Sequence, residues 1–584
     1  MLLVNSVGPV IIDGSGVSAD LITFGSDGQS TDSFGGLKNL WVYDAPNAGV
    51  YVNAAANKDV SPAFSGLRFN RCLLGLEIVS KYAAGTASPS MQSCYFHNST
   101  DAWDATGPSN LRAHISIIAS DATRTASPSI TNCTFESQYP GRVTDGIYIL
   151  AENEGVASPT INLSSIGYLS GPIPVSGTYG IGTGLRARAR GQSGPETQTP
   201  GGTTNFVLQQ SLVRGCYKNG VEISSDWVQS PTVSATIATP LIERCAIVGN
   251  GRSSTPPTSE TRGSNPPSSG HGIFVLAFEW GGLAPTIRQN SPEYASGEIT
   301  GNVQDGIHVC AASLLWPEAG VATFTTVEAD IQHNRVYSNG RYGIYNAGDV
   351  GTAESTIRYN RIAHNTWGGV VNIAEGTASF DPDVGTAMVT ATLRNNTIFG
   401  DAPYGASQRV GVLNDRYGGS GPGSGWHSAQ AILTEVHDTV AQNYVYGIDN
   451  QDYHGGPIAN PGSSVLNTIS WYTYHWYKPG SRDISVGWDV TQVSHCDYYE
   501  STGANYNRKD LPRFVNLAGY DFHLKLISYT YGNYSKLIDK GRNVPVPPGP
   551  SPGYDFDGQY RRVQKPNITN APQGWQDMGA DEVQ

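Results

Sequence analysis

The chain has 584 residues, a formal charge of −13, only 15% charged residues and 69 glycines. An acidic chain without a basic stripe is not built for nucleic acid, whose phosphates demand one, and no apolar run reaches the 18 residues of a membrane-spanning helix. Heptads and long Ala/Leu/Glu/Lys stretches are absent while Gly, Asn, Ser and Thr abound, which excludes a helical domain and leaves a turn-rich all-β chain.

The opening, Met1 to Gly16, has no basic n-region and turns strand-like within its first ten residues, so the expectation is a chain whose leader has been removed. From about residue 40 to 470 one phrase recurs: an aliphatic residue, two variable positions, then Cys, Ser or Asn, one variable position and another aliphatic. It reads Met91-Gln-Ser-Cys94-Tyr-Phe96, Ile130-Thr-Asn-Cys133-Thr-Phe135, Ile242-Glu-Arg-Cys245-Ala-Ile247 and Ile357-Arg-Tyr-Asn360-Arg-Ile362. The small position runs through Cys72, Cys94, Cys133, Ser164, Ser211, Cys245, Asn290, Asn334, Asn360 and Asn396, then less regularly Asp438 and Asn467, at steps of 22 (72 to 94) to 47 (164 to 211) residues.

Units repeating at that period bury their apolar faces against their neighbours, and the expected fold is an all-β parallel β-helix, a single-chain solenoid of about 12 coils. Coils stack at roughly 4.8 Å, bringing like residues over like, so the Asn side chains should pair in a ladder. The seven cysteines match no CxxC spacing, and reduced, buried packing is expected of them.

A second phrase follows most copies of the first: Gly75-Leu-Glu-Ile78, Gly146-Ile-Tyr-Ile149, Gly220-Val-Glu-Ile223, Gly272-Ile-Phe-Val275, Gly343-Ile-Tyr-Asn346 and Gly369-Val-Val-Asn372. Its Gly is expected to make the tight bend between two faces, and the alternating apolar residues a half-buried strand. Residues 190–204 and 251–270 are Pro/Gly/Ser/Thr-rich and read as loop excursions from the coil.

Six residues beyond a strand-opening Gly stand Lys81, Glu152, Arg186 (counted from Gly180), Asp226, Asp349 and Glu375; Glu279 comes at seven, Asp415 at four and Asp452 at five. Equal offset in a stacked solenoid means equal azimuth, so these should form a charged column. Aromatic residues accompany it in Trp227, Trp280, Tyr417 and Tyr453. Rings give a sugar a flat apolar surface and paired carboxylates give the acid and base of glycoside hydrolysis.

From about Leu511 the repeat stops, and Asp521-Phe-His-Leu524, Leu537-Ile-Asp-Lys-Gly541, Asp555-Phe-Asp-Gly558 with Arg561, and Asp577-Met-Gly-Ala-Asp-Glu582 follow. This order resembles the C-terminal segment of secreted bacterial right-handed parallel β-helix proteins of the pectate-lyase-like superfamily, in which DFxL, IDxG, DxDGxxR and DxGAxE follow the last coil. The opening Ile12-Asp-Gly-Ser-Gly16 and Gly36-Leu37 look like that group's first coils. The resemblance implies a right-handed solenoid over 1–510, a capping segment over 511–584, a secreted or cell-surface location and a polysaccharide partner. The tail acids Asp555, Asp557, Asp577 and Asp581 serve either the cap or a calcium ion. Gly270-His271-Gly272 is similar to the Gly-His-Gly of polygalacturonase-type hydrolases, without their paired Asp upstream or Arg-Ile-Lys downstream.

Three readings follow. A glycoside hydrolase would use Asp226 and Glu279 as its acid–base pair, with Glu152 as a further carboxylate and Trp227, Trp280, Arg186, Asp349, Glu375, Asp415, Tyr417 and Tyr453 against the sugar. It would need no cofactor. A lyase would use Arg186 or Lys81 as base, with Glu152 and Asp226 holding Ca²⁺ against a uronate carboxylate. A non-catalytic surface protein would bind glycans or self-associate.

Overall fold

The computed structural model describes residues 10–15, 20–25, 35–54, 58–81, 85–97, 113–137, 145–169, 181–191, 201–226, 236–251, 269–278, 281–295, 297–312, 325–349, 351–376, 387–400, 408–418, 429–450, 463–471, 482–486, 492–499, 501–517, 521–525, 535–537 and 578–579. Among them the strands form three all-parallel sheets and one antiparallel pair. The fold is a parallel β-helix. Two compact units divide it, residues 1–256 with 265–329, and 257–264 with 330–584.

From Thr86 on, each coil of the first unit contributes one strand to sheets I and III and two short strands to sheet II, such as Thr125–Ala126 and Ser129–Thr131, the sheets being numbered here for reference. Ser129–Thr131 lies in sheet II, Thr134–Glu136 in sheet III and Asp145–Glu152 in sheet I. Apolar residues stack in register inside. Met91, Ile130, Ile161, Leu208 and Ile242 form one column of sheet II, while Phe69, Phe96 and Phe135 form one of sheet III, their rings parallel at 4.6 and 4.9 Å.

Between sheets II and III the chain turns through one residue with positive φ: Ser93, Asn132, Leu163, Gln210, Arg244 and Gln289 in the first unit, His333, Tyr359, Asn395, His437, Asn467 and His495 in the second, all between 47° and 58°. For a residue with a Cβ this conformation costs about 1–2 kcal/mol. The next residue is the ladder position, whose N–H points along the solenoid and needs an acceptor. The following coil supplies one: Cys133 N–H donates to Ser164 Oγ (3.2 Å), Ser164 N–H to Ser211 Oγ (3.1 Å) and Cys245 N–H to Asn290 Oδ1 (2.7 Å). In the second unit Asn334 N–H donates to Asn360 Oδ1, Asn360 N–H to Asn396 Oδ1 and Asn396 N–H to Asp438 Oδ1, at 2.9, 2.9 and 2.6 Å.

Three expectations change in detail. The bend is not made by the Gly of the second phrase, which stands at the start of sheet I because the next coil comes too close for a side chain. A Cβ on Gly146 would sit 2.4 Å from Gly184 O and 2.6 Å from Ile166, and one on Gly369 2.4 Å from Ile398. Asn467 is the left-handed corner residue, and the rung beside it is Thr468, whose carbonyl accepts Asp497 N–H just as Asp438 O accepts Ile469 N–H. All seven cysteines are buried and unbridged, yet the rung cysteines do more than fill space: Cys245 Sγ faces Leu208 O and Glu243 O at 3.4 and 3.2 Å, and burial pushes its thiol up to about 12.

The ladder ends at Asn507, which accepts Cys496 N–H (3.0 Å) while Arg508 bridges to Asp497. The described tail lies elsewhere. Phe514–Asn516 pairs antiparallel with Asp521–Leu524, and Phe514, Phe522, Leu524, Leu537 and Met578 pack on Phe399, Ala441, Ile469 and Trp471. Phe399 and Ala441 flank the inward Ile398 and Val440 on their strands, so these contacts lie on the outward face of sheet III. The candidate calcium ligands Asp555, Asp557, Asp577 and Asp581 fall outside the described residues.

One rung-adjacent residue breaks the pattern. Glu435 occupies an interior column of sheet II, in register with Leu393 and Val465, and is fully buried. Burial, and next the Asp438 charge, hold its carboxyl well above the usual range. Asp497 behaves alike, pushed up to about 8 by burial against the N–H of Asp510.

Two outcomes follow from this geometry. Asn360→Ala strands the N–H of Asn334 and opens a void, and should cost about 3 kcal/mol in denaturant unfolding, whereas Asp438→Asn keeps the acceptor, removes a charge beside Glu435 and should be neutral or stabilising. Because its folded pKa lies above the ordinary 3.8, Asp497 contributes stability in full below about pH 4 and loses it as pH rises through about 8. The melting midpoint should therefore fall between pH 5 and 9, less steeply in Asp497→Asn.

Candidate functional site

Sheet I is the sheet of long strands, and its outward face carries the ionisable residues. In the first unit one outward column reads Glu77, Ser116, Tyr148, Arg186, Glu222, Phe274 and His308 in strict register, each two residues beyond the opening Gly except Ser116, where His114 takes that place. The positions just before the Gly add Asp145, Thr183, Asn219, His271 and Asp305.

Arg186 stands at the centre of these columns. Its Nη1 lies 2.9 Å from Asp145 Oδ2 and its Nε 3.1 Å from Glu222 Oε1, while Nη2 donates to Thr183 Oγ1 (3.0 Å). Thr183 N–H donates to Asp145 Oδ1 (3.0 Å) and Asn219 Nδ2 to Glu222 Oε2 (3.2 Å). The three charged side chains keep 22%, 11% and 19% of their surface open for Arg186, Asp145 and Glu222. Burial raises the Asp145 carboxyl to about 6, against the pull of Arg186. Burial works against the Arg186 charge too, but Asp145 and Glu222 outweigh it and hold the guanidinium protonated. Upstream, burial and then the Asp20 charge raise Glu77 to about 7.

Arg186 is thus not in the column of Glu152. Glu152 pairs in register with Arg190, and Arg190 with Asp226, because the strand-opening Gly of that coil is Gly184 and not Gly180. Glu152 accepts from Ser120 Oγ (3.1 Å). An arginine so far along the strand from Glu152 and Asp226, and held charged, does not assemble with them as a lyase base. In the second unit Asp349, Glu375 and Tyr417 do share one column. Asp415 stands two residues earlier, in register with Ile373 and fully buried. The side chains of Asp226, Asp349, Glu375 and Tyr417, and the whole of Trp227, Glu279, Trp280 and Tyr453, lie outside the described residues.

Sequence reasoning missed Asp145, Glu222 and Asp305. The signal was present: Asp145 and Asp305 immediately precede a strand-opening Gly, and Glu222 stands two beyond one.

No family model matches the sequence, and no curated protein matches it. Among solved structures it is similar to the Dettilon tailspike protein (gp208), with 11% identity and a TM-score of 0.33 over 78% of this chain. The match spans 64% of the length of that protein.

Proposed function

We propose that the protein processes an extracellular or cell-surface polysaccharide, and that it is a glycoside hydrolase whose acid–base pair is Asp145 and Glu222. The observation that carries this reading is the Arg186 guanidinium held between two partly open carboxylates, one of them lifted to about 6.

Asp145 and Glu222 lie on strands two coils apart, separated by the strand of Arg186. Their carboxylates reach the same guanidinium from opposite sides, at 2.9 and 3.1 Å, and an inverting hydrolase needs its two carboxyl groups roughly 6.5–9.5 Å apart to leave room for a water. Asp145, protonated below about pH 6, gives its proton to the glycosidic oxygen as the C–O bond breaks. Glu222 takes a proton from the water that attacks the anomeric carbon from the opposite face. Arg186 positions both groups and offsets the negative charge between them.

The test is reducing-sugar release across neutral and acidic polysaccharides, with variants verified as folded by circular dichroism. Asp145→Asn and Glu222→Gln should each lower turnover by at least a hundredfold, and wild-type kcat/KM should fall as pH rises through about 6. Retained activity in both, with loss in Asp226→Asn or Glu279→Gln, would overturn the assignment of Asp145 and Glu222 and move the chemistry to Asp226 or Glu279. No release on any substrate would refute the hydrolase reading and favour a glycan-binding or structural surface.

A further inference from the structure

Beyond Glu222 on the same face lies a cluster that hydrolysis does not use. His271 and Asp305 precede the opening Gly of consecutive coils and His308 follows two residues after Gly306, so coil stacking brings together groups 34 to 37 residues apart in sequence. All three side chains are completely buried.

Both imidazoles turn Nδ1 to a single carboxylate oxygen: His308 Nδ1 is 2.8 Å and His271 Nδ1 3.3 Å from Asp305 Oδ2. The three ligand atoms lie within 4.8 Å of one another. The surroundings fix the rings. The His271 ring stacks on Phe274 at 5.1 Å and 14°, the His271 backbone N–H donates to Asn219 Oδ1 (3.0 Å), and the His308 ring stands 4.6 Å away.

We propose that His271, Asp305 and His308 bind a divalent transition-metal ion of the zinc class. Two imidazole nitrogens and one carboxylate oxygen form a borderline donor set that suits zinc and not calcium, whose sites are built from oxygen. Zinc at 2.0–2.2 Å from each of four tetrahedral donors sets them about 3.4 Å apart, which matches the 3.3 Å contact of His271 and asks the 2.8 Å contact of His308 to open by roughly half an ångström. A purely hydrogen-bonded cluster fits less well. His271 Nδ1 accepts the Asp305 N–H at a long 3.4 Å and also faces Asp305 Oδ2 at 3.3 Å, so with Nδ1 unprotonated two electron-rich atoms meet where a cation would take both. The enclosed setting is that of a structural ion, which ties consecutive coils where two opening-Gly strands meet.

The experiment loads the purified full chain with zinc ion, dialyses it, and measures retained metal by elemental analysis, affinity by competition with a chromophoric chelator, and melting with and without zinc. Expected are one zinc ion per chain, a higher melting midpoint with zinc, and affinity at least tenfold weaker in His308→Gln and in Asp305→Asn. Wild-type protein that retains no zinc overturns the proposal without recourse to any variant. Equal affinity in both variants, each checked for native circular dichroism, overturns it as well.

Discussion

The structure depends on one unsatisfied group. At the described corners between sheets II and III a residue is held in the left-handed conformation, one with a Cβ everywhere except at Gly66, and along the rungs the N–H after it points at a side chain of the next coil. A buried amide without an acceptor costs about 1–3 kcal/mol, comparable to the backbone strain beside it. The acceptor is a side chain one coil on, so every corner requires its successor in exact vertical alignment. Register follows from this requirement, since a slip of one residue would withdraw the acceptor and turn each strand's apolar residues outward.

Fixed register turns spacing in sequence into contact in space. Within a sheet, residues at a constant offset from the start of their strands lie above their counterparts, and outward offsets on sheet I gather what no local segment could hold. Asp145, Arg186 and Glu222 come from three coils and meet around one guanidinium; His271 and Asp305 come from two. The chemistry of the first unit is thus a by-product of its stacking. In the second unit the same geometry produces a core stack of Asn346, Asn372 and Asn414, each donating Nδ2 to the Oδ1 of the next, through Asn450, at 2.6 to 2.8 Å.

The repeat, the sheets and most rungs were legible because Cys, Ser and Asn recur at one position between aliphatics. Two features were not. Corner residues include Ser, Leu, Gln, Arg, Tyr and His as well as Asn, so no residue type announces the left-handed turn, and the Gly of the second phrase serves close approach instead. The site was misaligned by a single ambiguity: Gly180, Gly182 and Gly184 alternate before Arg186, and counting from the first placed Arg186 four residues too far along the strand, beside Glu152 in place of Glu222. Glu435 was illegible for another reason, since nothing in a sequence distinguishes a surface glutamate from one standing in an aliphatic column.

The register of sheet I is the claim on which both sites rest, and paired cysteines measure it directly. Arg186 and Glu222 are in register on neighbouring strands, a backbone separation of about 5 Å that a disulfide spans, whereas Asp226 lies four residues further along, about 13 Å away. Oxidation of the Arg186→Cys, Glu222→Cys double variant should close a disulfide in the folded protein, detected by mass spectrometry after proteolysis, and that of Arg186→Cys, Asp226→Cys should not. The reverse result would contradict the account, returning Arg186 to the column of Glu152 and dissolving the cluster around its guanidinium.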